Sequence, residues 1–316
     1  MMLAPWAAAS LLLCWVLCVV LLGSKLLVPR HRAHSTMERF SSADSADPVL
    51  VAVHESKSHK IEVTETPGRG TCVALDGRTQ FCSHDEHMYH EMLVHFPAQY
   101  LQGGSPRRVL IASGGDCHAL REVLKHTNVQ EVVVIERDEA LVSISEKHLL
   151  LSAQRTDPRV TWLFGDNPTE LLVRLQNQSN GRRIKTGAMF DMVIVDRKDR
   201  PGNDGYSTDS FYKEARLLMT HSGVLVRNGL RHQAPLAAIF GHTLSYAFKK
   251  GPDAEEVGMV IAADFVLKAH VVNEQSMADN KVHTRFYRPE AHASHIMLPK
   301  PVNNVTSAAV AAAAAS

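Results

Sequence analysis

The stretch VLIASGGDCHAL, residues Val109–Leu120, decides the fold. It reads as a buried strand, a glycine turn and the start of a helix. A second apolar strand, Val132–Ile135, follows and ends on Glu136. This is the order of a nucleotide-handling βαβ unit: glycines let the backbone approach a ligand, and an acid about 20 residues on holds ribose hydroxyls. Gly114 and Gly115 are the glycines expected at the ligand, and Glu136 is the expected ribose carboxylate. Asp116 departs from the scheme, because a carboxylate in this turn repels phosphate and attracts a cation.

Downstream, short apolar runs at Val160–Phe164, Met192–Val195 and Val224–Val226 alternate with helical stretches such as Glu139–Leu149 and Pro168–Leu175. Continuously apolar strands bounded by turns imply a parallel sheet covered on both faces. Val257–Ala262 adds a later strand, and Phe265–Val272 is a candidate for another. Upstream, Val49–His54, Lys60–Thr66, Thr71–Leu75 and Arg78–Cys82 read as strands, with Asp76-Gly77 as a two-residue hairpin turn. Asp85–His95 reads as a helix ended by Pro97. The expected class is α/β: a Rossmann-like, methyltransferase-type parallel sheet with a small N-terminal antiparallel β unit, preceded by a transmembrane helix.

That last element rests on Leu3–Leu22, which carries no charge. Roughly 20 apolar residues suffice to cross a bilayer core. No Lys or Arg precedes the run, whereas Lys25, Arg30 and Arg32 follow it. An uncleaved single-pass anchor with the catalytic domain on the cytoplasmic side is therefore expected. The domain expectation is an anchor at 1–28, a polar linker at 29–48, a β-hairpin unit with its connecting helix at 49–103, a Rossmann-like domain at 104–302 and an alanine-rich tail at 303–316.

Of five cysteines, Cys14 and Cys18 lie in the apolar run, leaving Cys72, Cys82 and Cys117. An odd number without metal-ligand spacing fits free thiols in a reducing compartment. Two sequons, Asn177-Gln178-Ser179 and Asn304-Val305-Thr306, would matter only in a lumenal domain, and such tripeptides arise often by chance. With 34 basic against 33 acidic residues the net charge is +1, and aromatics make up 6%. Neither supports nucleic acid as a partner.

Ligands of an open parallel sheet bind at the carboxyl ends of its strands. Asp116, Glu136, Asp166 and Asp196 fall at four such ends, and Asp199 follows closely. Each alone reads as a solvated loop acid; in register they form an acidic crevice. Beside a ribose-binding acid, such a crevice selects a cationic nucleoside such as an S-adenosyl sulfonium. The α-carboxylate of intact S-adenosylmethionine would meet Asp116, at a cost of roughly 4 kcal/mol for like charges about 4 Å apart at an effective dielectric near 20. Decarboxylation leaves an ammonium that Asp116 attracts.

These residues resemble a family. Leu75–Met92, LDGRTQFCSHDEHMYHEM, is similar to the LDG–Q–DE–YHEM region of spermidine synthases. Val109–Glu122 resembles their glycine-loop segment, Val134–Glu139 their acid-bearing second strand, and Phe190–Asp199, FDMVIVDRKD, their catalytic strand and loop. Arg285–Pro299, RFYRPEAHASHIMLP, is similar to the closing run. The resemblance covers about Val49–Pro301. It implies a polyamine aminopropyltransferase that moves an aminopropyl group from decarboxylated S-adenosylmethionine to a di- or polyamine and releases methylthioadenosine. That donor is a co-substrate; no cofactor and no metal are implied.

By the same resemblance Asp196 is the proton acceptor and Asp199 holds the amine. His90 and Asp116 bind aminopropyl or polyamine nitrogens, and Tyr89 lines the cleft. Glu136 holds the ribose, with Asp166 and Asn167 at the adenine. Family members are commonly dimers or tetramers, so a homodimer is an expected partner state.

The chain also departs from the pattern. Cys117 and His118 replace small residues of the glycine loop, and the catalytic loop carries Arg197, Lys198 and Arg200. Lys249–Glu256, KKGPDAEE, lacks the tyrosine of the family's amine-side loop. Altered substrate choice and lost activity both fit these changes. The alternative is thus a catalytically inactive member that binds a nucleoside or polyamine. A methyltransferase using the intact donor ranks last, because of Asp116.

Overall fold

Alternation builds the first sheet. β1 (Val49–Glu55), β2 (Lys60–Thr66), β3 (Gly70–Leu75) and β4 (Arg78–Cys82) form an antiparallel meander in chain order. Asp76 and Gly77 take φ of 52° and 72°, the left-handed pair that closes a tight hairpin. Ile61, Val63, Val73, Leu75 and Phe81 turn inward and pack with Ile144. The computed structural model describes residues 47–149, 151–177, 189–197, 205–251, 254–268, 277 and 282–297. The expected anchor, the linker up to residue 46, Asp199 and the alanine-rich tail lie outside them. No helix among the described residues is long and apolar enough to cross a membrane.

One expectation is overturned in this sheet: Cys72 and Cys82 form a disulfide, and only Cys117 is free among the described cysteines. The reason is register. Leu75 faces Arg78 and Ala74 faces Thr79, but an irregularity between Val73 and Ala74 shifts the ladder so that Val73 faces Phe81 and Cys72 faces Cys82. An unbroken ladder would have set Cys72 opposite Phe81. Bulges of this kind insert one residue and realign every pair beyond them.

The remaining chain gives α1 (Glu86–Ala98), β5 (Arg108–Ala112), α2 (His118–Leu124), β6 (Glu131–Glu136), α3 (Glu139–Leu149), α4 (Ser152–Arg155), β7 (Val160–Phe164), α5 (Pro168–Asn177), β8 (Phe190–Val195), α6 (Asp209–Leu217), β9 (Met219–Asn228), α7 (Gln233–Phe240), β10 (His242–Lys249) and β11 (Glu256–Ala263). The second sheet runs β10-β11-β9-β8-β5-β6-β7. Its five strands from β9 to β7 are parallel, as the apolar runs imply.

The sheet as a whole is mixed, because β11 pairs antiparallel with both β9 and β10. β10 is an addition to the sequence reading, whereas Phe265–Lys268 is not a strand. α1 also runs through Pro97 to Ala98. A proline in the last turn forfeits one hydrogen bond without blocking the residue after it.

Both faces of the parallel strands are covered. Val109, Ile111, Val132 and Val134 pack under α1 and α2, while Leu110, Ala112, Val133 and Ile135 pack against α5, α6 and α7. α1 is held tightly. Phe96 stacks between Tyr246 and His292, with ring centroids 3.9 and 3.8 Å away. His292 in turn bridges the hydroxyls of Tyr287 and Tyr100 at 2.9 and 3.1 Å.

Burial, with His295 beside it, pushes the His292 pKa down to about 4. Between pH 6.5 and 4 the unfolded chain takes up a proton there that the folded chain refuses, so stability falls as pH falls through that window, by up to about 3 kcal/mol. Urea unfolding at pH 7.5 and 4.5 should show the loss, and His292→Phe should flatten it. An unchanged pH slope in the variant would rule out His292 as its source.

Candidate active site

The parallel part of the sheet reverses its strand order at β5, which lies between β6 and β8. That is where an open α/β sheet leaves a crevice at its carboxyl edge. A cleft of about 820 Å³, its open mouth included, lies there. Asp116 after β5, Glu136 at the tip of β6 and Asp196 after β8 line it, together with Tyr89 and His90 from α1. Five sequence-derived candidates therefore converge. Asp166 and Asn167 are exposed and not among the lining residues. The Asn167 side-chain oxygen accepts the Thr169 and Glu170 N–H groups, 3.1 and 3.3 Å away, at the start of α5.

The glycines act through close approach. The Gly115 N–H donates to Glu136 Oε2 at 2.9 Å, and a Cβ at Gly115 would sit 2.9 Å from that same oxygen. At Gly114 a Cβ would lie 2.7 Å from the Ile111 side chain. The other Glu136 oxygen accepts the Arg137 and Asp138 N–H groups at 2.7 and 3.0 Å. Burial raises the Glu136 pKa, and these three backbone donors oppose the rise. Glu136 is thus locked by the loop and by its own strand end.

Cys117 does not narrow the cleft. It takes a left-handed φ of 63° and turns its fully buried side chain into a cluster with Val142 and Leu151. A non-glycine residue in that conformation costs about 1–2 kcal/mol. His118 does join the site's framework: its ring stacks on His90 at 4.9 Å and meets Phe81 edge-on at 4.6 Å.

His90 is the hub. Its Nδ1–H donates to the Glu86 carbonyl oxygen and to Glu86 Oε2, 2.7 and 2.8 Å away, and Arg121 grips the Glu86 carboxylate from the other side at 2.9 and 3.0 Å. Nε2 faces Asp116 Oδ2 at 3.6 Å and Asp196 Oδ2 at 3.9 Å. Burial alone would depress the His90 pKa; Asp116 and Glu86 outweigh it and raise it to about 10. Burial likewise opposes the ionisation of Asp116, yet His118 and His90 hold its pKa well below the usual carboxylate range. The cleft therefore presents ionised acid to whatever enters.

The hairpin contributes Leu75, Gln80 and Phe81 to the wall, and β6 and α3 contribute Arg137, Asp138 and Leu141. None of these stood out in the sequence as a site residue, although Gln80 lies within the LDG–Q motif. Two cations also line the cleft: Arg197, which lies over the Tyr206 ring at 5.7 Å, and Lys250, whose Nζ is 3.2 Å from Asp85 Oδ2. Lys198 and Arg200 lie outside the described residues.

Comparison with known proteins turns this geometry into kinship. Residues 86–234 match the model of the spermine/spermidine synthase domain. The polyamine aminopropyltransferase of Thermoanaerobacter sp. (strain X514) is 29% identical over 270 residues, covering 81% of this chain and 91% of that protein. The chain is thus similar to the spermidine synthase family through this domain and to a polyamine aminopropyltransferase over 81% of its length. The spermidine synthase of Thermotoga maritima superposes with a TM-score of 0.66 at 25% identity, over 79% of this chain and 85% of that one. A spermidine synthase solved in complex with the transition state analogue AdoDATO shares the fold, with a TM-score of 0.69 at 24% identity over 79% of this chain and 86% of that one. The match to the family model begins at Glu86 and takes in His90, Asp116, Glu136 and Asp196.

Proposed function

We propose that this chain is a polyamine aminopropyltransferase of the spermidine synthase family. It transfers the aminopropyl group of decarboxylated S-adenosylmethionine to a di- or polyamine and releases methylthioadenosine. The observation that carries the reading is the convergence of His90, Asp116 and Asp196 within 4.8 Å, with Glu136 in the same cleft. The ribose goes to Glu136, and the sulfonium and aminopropyl ammonium lie toward Asp116. The acceptor nitrogen gives a proton to Asp196 and attacks the aminopropyl carbon bonded to sulfur. The new C–N bond forms as the C–S bond breaks, and the sulfonium leaves as a neutral thioether. An amine is protonated at pH 7, so an acceptor carboxylate at the nitrogen is what makes it a nucleophile. His90 and Tyr89 shape the amine pocket, with Asp199 assigned to the second amine. Asp166 and Asn167 are assigned to the adenine edge.

The test is methylthioadenosine release from putrescine or spermidine with each donor. The decarboxylated donor should be used about 100-fold or more better than the intact one, given the charge of Asp116. Absence of product with every common polyamine would leave the inactive, ligand-binding reading, which the cations Arg197 and Lys250 in the cleft favour.

Membrane attachment through residues 3–22 belongs to the same proposal, with a cytoplasmic domain inferred from the cations that follow. The Cys72–Cys82 disulfide favours the opposite side, since such bonds persist in oxidising compartments. Protease protection of intact vesicles, with glycosidase-sensitive mobility as the second readout, separates the two sides. The homodimer is also proposed. β1 is an edge strand that exposes Val49, Leu50, Val51 and Val53, a surface suited to a second copy. Light scattering that gives a monomer mass would remove it.

A further inference from the structure

We propose that the Lys250 ammonium caps the amine side of the cleft and restricts the acceptor to a diamine, disfavouring longer polyamines. The assignment rests on the aminopropyltransferase reading, which brings an amine into this cleft. Position is the first argument. The Tyr246 hydroxyl donates to the Met92 carbonyl oxygen at 2.9 Å, and four residues later Lys250 Nζ lies 3.2 Å from Asp85 Oδ2. β10 thus runs back along α1 to Asp85, the residue before its first turn. Tyr89 and His90 follow Asp85 by about one helical turn and line the cleft with Asp116 and Asp196. Lys250 lines the cleft as well, whereas Asp85 behind it does not.

Charge is the second argument. A diamine carries one ammonium beyond the reacting nitrogen, and a triamine carries two. The extra ammonium needs a further carboxylate at the end of α1. Two acids stand there, and both are taken: Glu86 is gripped by Arg121 and His90, and Asp85 is held by Lys250. A third amine nitrogen therefore meets a tethered cation where it would need an acid. The other Asp85 oxygen, Oδ1, is buried and has no hydrogen-bond partner among the described residues. Without Lys250 that carboxylate is left with an ammonium site to fill. The Lys250 and Asp85 side chains are 20% and 25% exposed, and ion pairs so placed contribute little to stability, so neutral variants should fold.

The test is calorimetric titration of the full chain with putrescine and with spermidine, methylthioadenosine present. Putrescine should bind the unaltered chain about tenfold more tightly than spermidine. Lys250→Met should shift that ratio toward spermidine by about tenfold, the repulsion of two cations about 7 Å apart at an effective dielectric between those of a protein surface and water. Lys250→Arg keeps the charge and should keep the original ratio. Spermidine bound as tightly as putrescine by the unaltered chain, a ratio unchanged in Lys250→Met, or a ratio shifted equally in both variants overturns the assignment. So does failure of both amines to bind. If Lys250→Met does not fold, Lys250→Gln decides. Binding is read without turnover. Amines that bind with this selectivity but yield no methylthioadenosine overturn the transferase reading alone, and turnover with an unshifted ratio overturns only the role of Lys250.

Discussion

Asp196→Asn is expected to lower aminopropyl transfer by about 10²–10⁴-fold while methylthioadenosine still stabilises the protein against heat. Amide for carboxylate keeps the shape of the side chain and removes the proton acceptor, and a positioned general base contributes about that factor. Asp196 follows β8, its backbone N–H donates to the Ala112 carbonyl at 2.9 Å, and its side chain is only 4% exposed, so the substitution leaves the strand end anchored. The nucleoside is proposed to meet Glu136, which the Gly115 N–H holds in place and which the change does not touch. Ligand stabilisation follows mass action, about 2.7 kcal/mol at one hundred times the dissociation constant, so a thermal shift reads retained binding directly. Turnover at the unaltered rate would remove Asp196 from the chemistry.

The second large effect concerns stability. Glu91 is fully buried, and its carboxylate accepts three consecutive backbone N–H groups: Arg285 at 2.8 Å, Phe286 at 2.7 Å and Tyr287 at 2.9 Å. Glu91→Ala strands all three donors beside α1. At about 1–3 kcal/mol for each unsatisfied buried group, and with relaxation recovering part of it, a loss of roughly 4 kcal/mol is expected. That is a large share of the roughly 5–15 kcal/mol by which a domain is stable. The segment from Val282 onward should also become sensitive to trypsin, which cleaves after Arg285 and Arg288. Urea unfolding that shows a loss under about 1 kcal/mol, with the segment still protected, would mean that the stack of Phe96, Tyr246 and His292 holds it unaided.

Much of this was legible in the sequence where local pattern and tertiary role agree. β5, β6 and β8 are buried on both faces, so their continuous apolar runs announce them, and the acids at their tips follow from strand direction. β10 was not legible because HTLSYAFK mixes polar and apolar residues and buries Ser245 along with Tyr246. The disulfide was hidden for another reason: it depends on a one-residue irregularity in the β3–β4 ladder, which composition and spacing do not reveal. Although Asp166 lies exposed outside the cleft lining, Asp116, Glu136, Asp196 and His90 at the cleft could be named in advance. The stacking of His118 on His90 could not, because it arises from a left-handed turn at Cys117 that glycine would ordinarily fill.

The order in which the second sheet is completed bears on how the chain is made. β11 lies between β9 and β10 although it is synthesised after both. Until Ala263 has left the ribosome, β9 offers an open edge that includes the fully buried Val224, Leu225 and Val226 of the finished sheet. Unpaired apolar edges recruit other chains. A nascent chain halted before Glu256 is therefore an aggregation-prone species even with all five parallel strands in place. The hairpin from His242 to Ala263 is the piece whose arrival covers that edge.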